Sequence, residues 1–290
     1  MLDIVKHKTE DIVSMLENIG YYLINEQQKH EYQTYTKPDG SLLTELDLAS
    51  EMLIKNELNS LFGDIKIISE ENNEDENKQI ATNERFYFLL DPIDGTSYFN
   101  KGKEFTINLA FCIDGKPMLS FIHNPLKKMI LFGNNDKAFL RHGGKVKKLM
   151  RLKPIDKYDI AVGEMKKPLR LVIGTHMFAN KDYTQFLTSA IQQKGYNFSK
   201  YTLKASSAMG KLFLLANGDT DGFLTSKVCK DWDILPSLPI LNAIGASYHT
   251  DNPMVFCSGN FAQGCFIAGR GQELVDDLAE IAKNTETMQF

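Results

Sequence analysis

The sequence predicts a fold of mixed α+β and α/β class, and three observations support this prediction. Short, continuously apolar runs such as residues 86–90 are typical of strands that are buried on both faces. Longer segments such as residues 1–28 place apolar residues at helical spacing. With 290 residues, 43% of them apolar, the chain is long enough to bury a large core as one domain or two subdomains.

The first half of the chain combines two helices with a run of strands. Residues 1–28 predict one amphipathic helix, and a capping box at residues 44–47 opens a second helix at residues 46–61. Strands are predicted at residues 65–68, 86–90, 105–113, 117–123 and 128–133, with a hairpin turn at residues 114–115. The basic, turn-rich segment 141–170 is interpreted as solvated surface that joins the two halves. We therefore expect an N-terminal α+β subdomain at residues 1–150.

In the second half, helices alternate with short strands, which is the pattern of an α/β subdomain. Strands are predicted at residues 171–174, 223–224, 254–257 and 265–268. Helices are predicted at residues 182–193, 209–216 and 272–282, with a further helix after residue 233. This pattern predicts a C-terminal α/β subdomain at residues 151–290.

The strand at residues 86–90 ends in two carboxylates, Asp91 and Asp94, which are three residues apart. Gly95 permits a tight turn there, so both carboxylates can face one small space beside the carbonyl of Ile93 and the hydroxyl of Thr96. Oxygen ligands of this kind suit Mg²⁺ or Mn²⁺, whereas zinc favours His or Cys. The motif alone is equally compatible with an Asx turn that ends a buried strand.

Two further acidic clusters lie far apart in the sequence. Glu70 and Glu71 follow the strand at residues 65–68, and the acids at residues 74–76 are interpreted as a solvated, mobile loop. Asp233 follows the only tryptophan and precedes an apolar series. On its own, the position of Asp233 before this apolar series favours a helix N-cap over a metal ligand.

These pieces together resemble a known metal-site signature. Residues 70–71, 91–96 and 232–233, in this order and at these separations, are similar to the inositol monophosphatase superfamily of lithium-sensitive, magnesium-dependent sugar-phosphate phosphatases. The resemblance extends over about residues 37–251 and implies a layered α/β/α/β/α sandwich. It also implies that residues 1–150 carry most of the metal ligands, whereas residues 151–290 supply Asp233 and substrate contacts.

The resemblance implies two to three Mg²⁺ ions, with Mn²⁺ as an alternative. The ligands implied for the first ion are Glu70, Asp91, the carbonyl of Ile93 and Thr96, and those for the second are Asp91, Asp94 and Asp233; Glu70 also faces a third, weakly bound ion. Metals about 4 Å apart can stabilise both the attacking and the leaving oxygen of an in-line displacement. The implied catalytic residues are Asp47, Thr96 and Glu70. In this scheme, Asp47 polarises the Thr96 hydroxyl. The spacing of Asp47 by itself favours a capping role.

Within the superfamily, the chain is most similar to the 3′(2′),5′-bisphosphate nucleotidases. This similarity rests on residues 102–106, 208–211 and 229–233, and on a lysine-containing loop at residues 37–41. The implied substrate contacts are Gly95, Thr96, Lys101, Lys103, Lys211, Lys230 and Asp233. Leu42 departs from the proline usual in the family, although this change removes no ligand. The implied activity is hydrolysis of 3′-phosphoadenosine 5′-phosphate to AMP and phosphate.

Other functions stay open at this point. The same metal core could support an inositol monophosphatase or another sugar-phosphate phosphatase, because specificity lies in the loops. A binding protein for divalent ions or sugar phosphates could also use the same acids. The expected partner is a small phosphorylated molecule, and a homodimer is compatible with the sequence.

Composition narrows the class of protein. A net charge of −4 gives no case for nucleic acid as a partner, and no apolar run of about 18 residues predicts a membrane span. The four cysteines show no metal-type spacing, which is typical of reduced thiols and favours a cytoplasmic location. The histidines at residues 123, 142, 176 and 249 are interpreted as ordinary surface or hydrogen-bonded residues.

Overall fold

The computed structural model describes residues 1–155, 168–174, 177, 179–198, 207–225, 229–251 and 261–286. Its helices are α1 (Leu2–His7), α2 (Thr9–Lys29), α3 (Glu45–Phe62), α4 (Glu74–Asn83), α5 (Thr96–Phe99), α6 (Lys181–Gln193), α7 (Ala208–Ala216), α8 (Asp231–Ile234), α9 (Leu238–Ile244) and α10 (Gln272–Glu286), with a 3-10 turn at Leu235–Ser237. Its strands are β1 (Thr34–Thr36), β2 (Leu42–Thr44), β3 (Lys66–Ser69), β4 (Phe86–Asp94), β5 (Thr106–Ile113), β6 (Lys116–Asn124), β7 (Met129–Asn134), β8 (Ala138–His142), β9 (Lys145–Lys148), β10 (Leu171–Val172), β11 (Gly222–Leu224), β12 (Cys229–Lys230), β13 (Ser247–Thr250), β14 (Ala262–Gly264) and β15 (Phe266–Gly269).

A seven-stranded sheet in the order β3-β4-β5-β6-β7-β8-β9 forms the centre of the first half. Strands β3 and β4 run parallel, and each later neighbour pairs antiparallel. The register shifts between Asp91 and Asp94, where β4 bulges against β5. The predicted hairpin turn between β5 and β6 is confirmed, with Asp114 at φ 49° and Gly115 at φ 77°.

Five layers stack across the molecule. Helices α1, α2 and α3 pack with one face of the seven-stranded sheet, where Phe88 and Phe111 are buried. The opposite face packs with α7, α8 and α9, which also contact the four-stranded sheet β10-β11-β15-β13. Helices α6 and α10 cover the outer face of that second sheet, around Leu187 and Leu278. The predicted α/β/α/β/α sandwich is confirmed, and the boundary between subdomains at residues 150 and 151 stays a prediction.

Two predicted segments in the first half of the chain differ from the structure. The first helix is broken at Lys8, so residues 1–28 form α1 and α2 instead of one helix. The acids at residues 74–76 form the first turn of α4. Their interpretation as a solvated, mobile loop is therefore wrong. Asn73 caps this helix by accepting a hydrogen bond from the N–H of Glu76 at 2.8 Å. Acidic residues stabilise a helix N-terminus through the helix dipole.

The basic segment 141–170 begins inside the sheet and not outside it. Strands β8 and β9 pair as a hairpin, and β9 is an exposed edge strand that carries three lysines. Lysines on an edge strand discourage pairing with other chains. Arg141 of β8 forms ion pairs with Glu10 and Glu17 of α2. Residues 142–148 are exposed, in agreement with the surface interpretation, but residues 141–148 form strands of the central sheet, so this part of the segment is not a join between the two halves.

In the described residues of the second half, each predicted helix and strand corresponds to a helix or strand of the structure. The predicted strand at residues 254–257 and His176 lie outside the described residues. Strand β13, which the sequence analysis did not predict, pairs with β15. In the part of the chain that the structure describes, we find no helix with the length and apolarity needed to cross a bilayer.

Candidate metal centre and active site

Three carboxylates from two distant parts of the chain converge at the end of β4. One carboxylate oxygen each from Asp91, Asp94 and Asp233 lies within 4.8 Å of the others. Asp91 and Asp94 are buried, and Asp233 is half-buried. The bulge in β4 brings the first two together, and α8 packs against β4 to supply the third. Such closely spaced charges repel each other unless protons or a cation neutralise them.

The electrostatics of this cluster fit a hard cation. Burial raises the pKa of Asp91 well above its ordinary value, and the charges of Glu70 and Asp94 add to this effect. Burial and the charge of Asp94 likewise raise the pKa of Asp233. Oδ2 of Asp91 is buried and has no hydrogen-bond partner among the described residues. A divalent cation would neutralise these carboxylate charges and would also give Oδ2 of Asp91 a partner. The residues therefore fit Mg²⁺ or Mn²⁺, which bind oxygen ligands.

Asp94 is held in a fixed orientation by neighbours that the sequence analysis did not assign. Its Oδ2 accepts hydrogen bonds from Oγ1 of Thr106 at 3.0 Å and from the N–H of Met209 at 2.9 Å. Oγ1 of Thr106 also lies 3.4 Å from Oγ of Ser207. These contacts join the central sheet to the start of α7. In the sequence, Thr106 stood out only as part of a family pattern.

Asp233 does not cap a helix in the way the alternative interpretation required. It is the third residue of α8, and its Oδ2 accepts a hydrogen bond from the N–H of Lys230 at 2.7 Å. An N-cap residue would instead precede the helix and bind the N–H groups of its first turn. The N-cap interpretation of Asp233 is therefore wrong, and its carboxylate faces Asp91 and Asp94.

Asp47 combines a capping role with a contact to the metal loop. The predicted capping box is confirmed, because Oδ2 of Asp47 accepts hydrogen bonds from the N–H and the hydroxyl of Thr44, at 2.8 and 2.5 Å. Its Oδ1 accepts a hydrogen bond from Oγ1 of Thr96 at 3.0 Å. Burial raises the pKa of Asp47 to about 6, although hydrogen bonds from Thr44 oppose this shift. Oγ1 of Thr96 also lies 3.2 Å from the carbonyl oxygen of Ile93.

Glu70 lies beside the three-carboxylate cluster but is held by a lysine. Nζ of Lys37 lies 3.0 Å from Oε1 of Glu70 and 2.8 Å from Oε2 of Glu71. The side chain of Glu71 is 3% exposed, and burial together with the charge of Glu70 raises the pKa of Glu71 to about 7. Burial disfavours the Lys37 ammonium, yet the two carboxylates outweigh it and raise the pKa of Lys37. The lysine-containing loop at residues 37–41 is recognisable in the sequence, whereas this contact of Lys37 is visible only in the structure.

Gly95 occupies a backbone conformation that favours glycine. It precedes α5 with a φ of 94°, in the left-handed region. A Cβ atom at this position would lie 3.3 Å from Cβ of Ser207, which is a tight contact. Gly95 therefore lets the metal loop approach the start of α7 closely.

The four candidate substrate lysines lie in different environments. Lys101 and Lys103 are exposed, and Lys230 is half-buried. Lys211 is only 4% exposed and donates a hydrogen bond from Nζ to the carbonyl of Ser207 at 2.9 Å. Burial lowers the pKa of Lys211, while the charge of Asp94 opposes this shift. Lys211 is therefore a buried lysine and not a solvated surface residue.

Comparisons with known proteins identify the family of the chain. The chain matches the family model described as the inositol monophosphatase family over residues 13–285. It is 27% identical over 242 residues to a 3′(2′),5′-bisphosphate nucleotidase CysQ of Salmonella typhimurium strain LT2, which covers 83% of this chain and 89% of that protein. A protein of the same name from Haemophilus influenzae is 27% identical over 240 residues, covering 80% of each chain.

Solved structures share the fold at lower identity. A staphylococcal inositol monophosphatase-1 superposes with a TM-score of 0.73 and 18% identity, covering 95% of this chain and 94% of that chain. CysQ from Bacteroides thetaiotaomicron superposes with a TM-score of 0.66 and 19% identity, covering 89% of this chain and 95% of that chain. From the match over residues 13–285, the chain belongs to the inositol monophosphatase family.

Proposed function

We propose that this protein is a Mg²⁺-dependent phosphomonoesterase that hydrolyses 3′-phosphoadenosine 5′-phosphate to AMP and phosphate. The observation that carries the proposal is the convergence of Asp91, Asp94 and Asp233 beside the hydrogen-bonded pair Thr96 and Asp47. Membership of the family supports the coarser assignment, a metal-dependent phosphatase. The names of the CysQ relatives support the bisphosphate nucleotide as substrate.

The proposed metal ligands follow the two sets expected from the sequence. Glu70, Asp91, the carbonyl of Ile93 and Thr96 would hold one Mg²⁺, and Asp91, Asp94 and Asp233 would hold a second. When bound, magnesium supplies positive charge that polarises the phosphoryl group and lowers the pKa of a water molecule. Thr106 and the N–H of Met209 fix the Asp94 carboxylate for this role. Glu70 would have to exchange its contact with Lys37 for the cation.

The Thr96 and Asp47 pair can orient and deprotonate a water molecule. The Thr96 hydroxyl donates to Oδ1 of Asp47, so its oxygen lone pairs can accept a hydrogen bond from water. As the water oxygen attacks phosphorus and the bond from phosphorus to the ester 3′-oxygen breaks, the water proton can pass to Oγ1 of Thr96 while the Thr96 proton passes to Asp47, and the leaving 3′-oxygen takes a proton from solvent. The pKa of Asp47, raised to about 6 by burial, is suited to a carboxylate that gains and loses a proton near neutral pH.

This proton pair favours an enzyme over a binding protein. A protein that only binds a divalent ion or a sugar phosphate needs the carboxylates, but it does not need a hydroxyl positioned by a buried carboxylate. The pair does not discriminate between substrates, so an inositol monophosphatase is the second candidate. The lysines beyond the metal cluster favour a substrate with a second, remote phosphate. Of these, Lys101 and Lys103 are exposed and can reach a ligand without unpacking the core.

Initial rates on a panel of phosphomonoesters test the proposal. In Mg²⁺, we expect kcat/KM for 3′-phosphoadenosine 5′-phosphate to exceed that for inositol 1-phosphate by at least about tenfold, which is about 1.4 kcal/mol of transition-state binding. Lys101→Ala and Lys103→Ala should narrow this gap without changing the rate on inositol 1-phosphate. A faster rate on inositol 1-phosphate would move the assignment to the inositol monophosphatases. Full turnover in EDTA would contradict the metal-dependent mechanism altogether.

A further inference from the structure

Strand β5 presents two polar side chains to the carboxylates of the site. Thr106 and Asn108 are two residues apart, so they lie on the same face of the strand. In the sheet register, Thr106 is paired with Asp94 and Asn108 is paired directly with Asp91. Thr106 already contacts Asp94 through its hydroxyl. The topology gives Asn108 the equivalent place beside Asp91.

Asn108 is fully buried, yet its amide makes no hydrogen bond in the described structure. Neither Nδ2 nor Oδ1 of Asn108 has a partner among the described residues, and Oδ2 of Asp91 also has none. On the other side of Asn108, the residue paired in β6 is the apolar Ile122. An unpaired buried amide costs the free energy of its lost hydration, so an apolar side chain at this position would be more stable. The amide therefore points to a ligand or water that it binds.

The unpaired atoms of Asn108 and Asp91 suit one bridging water molecule. Residues directly opposite each other in an antiparallel pair have Cβ atoms about 4.5–5.5 Å apart, so the two side chains stand next to each other. No direct hydrogen bond joins Asn108 to Oδ2 of Asp91 among the described residues, and a bridging water can join two such groups nearly as well as a direct bond. Buried waters need two to four polar partners, and Nδ2 and Oδ1 of Asn108 with Oδ2 of Asp91 provide three.

We propose that Asn108 is a positioning residue for Asp91, acting through an ordered water that accepts a hydrogen bond from Nδ2 and donates one to Oδ2 of Asp91. This inference rests on the proposed function, in which Asp91 is the ligand shared by both cation sites. Fixing the rotation of the Asp91 carboxylate strengthens cation binding, as outer partners of metal ligands generally do by about 10- to 100-fold. Strand β5 thus orients two ligands, Asp94 through Thr106 and Asp91 through Asn108.

Ser120 provides a matched control. It lies on the same face of the sheet, in β6, and its hydroxyl is also buried without a partner among the described residues. Its pair in β5 is Ala110, away from the carboxylates. Ser120→Ala removes a buried, unpaired polar atom that is not beside Asp91. Its effect can therefore be compared with that of removing the unpaired atoms of Asn108, which is beside Asp91.

The experiment measures Mn²⁺ binding by calorimetry and by the electron paramagnetic resonance spectrum of the bound ion, in wild type, Asn108→Leu, Asn108→Ser and Ser120→Ala. Asn108→Leu removes both unpaired polar atoms at similar volume, so its thermal stability in EDTA should equal or exceed that of wild type. Its Mn²⁺ affinity should nevertheless fall by about tenfold or more, with an altered spectrum. Asn108→Ser keeps a donor and an acceptor and should restore most of the affinity.

The outcomes separate this inference from the proposed function. Wild-type Mn²⁺ affinity in Asn108→Leu, with Ser120→Ala also unchanged, would overturn the positioning role and leave the metal site standing. Equal losses in Asn108→Leu and Ser120→Ala would overturn it as well, because they would show a general packing effect. Absence of Mn²⁺ binding in wild type would overturn the metal site itself. If Asn108→Leu does not fold, Asn108→Ala takes its place with the same expected loss.

Discussion

At the scale of single residues, the chain fixes one oxygen of each key carboxylate before any cation binds. Oδ2 of Asp94 is held by Thr106 and by the N–H of Met209, and Oδ2 of Asp233 is held by the N–H of Lys230. Oδ2 of Asp47 is held by Thr44. Fixed carboxylates lose less conformational entropy on binding a cation, so a preorganised site binds it more tightly. Two substitutions test these carboxylates, one by removing a hydrogen bond to Asp94 and the other by removing the charge of Asp233.

Removal of the Thr106 hydroxyl should weaken the site without unfolding the protein. Thr106→Val keeps the shape of the side chain but leaves Oδ2 of Asp94 with one fewer hydrogen bond. We expect kcat/KM to fall by about tenfold and the Mg²⁺ concentration for half-maximal rate to rise. The control is Thr220→Val, because Thr220 is also fully buried and its hydroxyl has no partner among the described residues. Equal effects of the two substitutions on the Mg²⁺ dependence would contradict a role specific to Asp94.

The substitution Asp233→Asn separates the charge of this residue from its hydrogen bond. The asparagine oxygen can still accept the N–H of Lys230, so α8 should keep its start. We expect activity at saturating Mg²⁺ to fall by about 100-fold or more, because a proposed ligand to the second ion loses its charge. Stability in EDTA should be equal or higher, since one of three repelling carboxylates is gone.

Asp75→Asn, at an exposed position in the first turn of α4, is the control for the loss of one acidic charge. It should leave turnover unchanged. Unaltered turnover in Asp233→Asn would show that Asp233 is not a functional ligand.

At the scale of elements, the sequence predicted the strands that are buried on both faces and missed those with mixed character. The apolar run at residues 86–90 predicted β4, although the strand continues through the bulge to Asp94. The hairpin of β8 and β9 alternates apolar and basic residues, and its lysines favoured an interpretation as surface. The ion pairs of Arg141 with α2 hold this hairpin in place and join residues more than 120 positions apart. No local pattern could reveal such a contact.

Helix α4 shows a different kind of error. Its N-cap, Asn73, and its acidic first turn are both recognised signals of a helix start. The charge of these acids alone favours a solvated loop. Local signals were therefore sufficient here, and the charge of a segment was the weaker guide.

Lys37, in the loop between β1 and β2, forms ion pairs with Glu70 and Glu71 beside the site. The contribution of these ion pairs to stability can be measured. Lys37→Met would leave the buried Glu71 carboxylate without its cation. We expect the free energy of unfolding in EDTA to fall by about 1–3 kcal/mol, the usual cost of an unsatisfied buried group. Lys66→Met is the control, because its partner Asp64 has a side chain that is 87% exposed, and surface pairs contribute about 0–1 kcal/mol. Urea denaturation of both variants gives the comparison, and similar losses would argue against a buried role for Lys37.

At the scale of the whole molecule, the site exists only in the assembled sandwich. Asp47 comes from α3, Asp91 and Asp94 from β4, and Asp233 from α8. The family resemblance named these residues from sequence, since each piece of the signature is short and local. It could not reveal that Lys37 holds Glu70, that Thr106 holds Asp94 or that Lys211 is buried. These contacts depend on how the layers pack, which no spacing along the chain encodes.

The assembly of so many acids predicts how stability depends on pH when no metal is present. Burial raises the pKa of Asp47 to about 6 and that of Glu71 to about 7, and it raises the pKa of Asp91 and Asp233. A carboxyl whose pKa is higher in the folded state binds more protons there than in the unfolded state. Its contribution to stability is therefore complete below its ordinary pKa of about 4, and is lost as the pH rises through the raised value.

Stability in EDTA should consequently fall as the pH rises from about 5 to 8, and a divalent cation should reverse this loss. At pH 8 the carboxylates are ionised and repel each other, so Mg²⁺ that binds them favours the folded state by mass action. At pH 5 protons neutralise part of the cluster and compete with the cation. We therefore expect Mg²⁺ to raise Tm by several degrees at pH 8 and by less at pH 5. Thermal unfolding in EDTA and in Mg²⁺ at both pH values measures this. A larger effect of Mg²⁺ at pH 5, or a stability in EDTA that rises towards pH 8, would show that the four acids are not neutralised by protons in the metal-free protein.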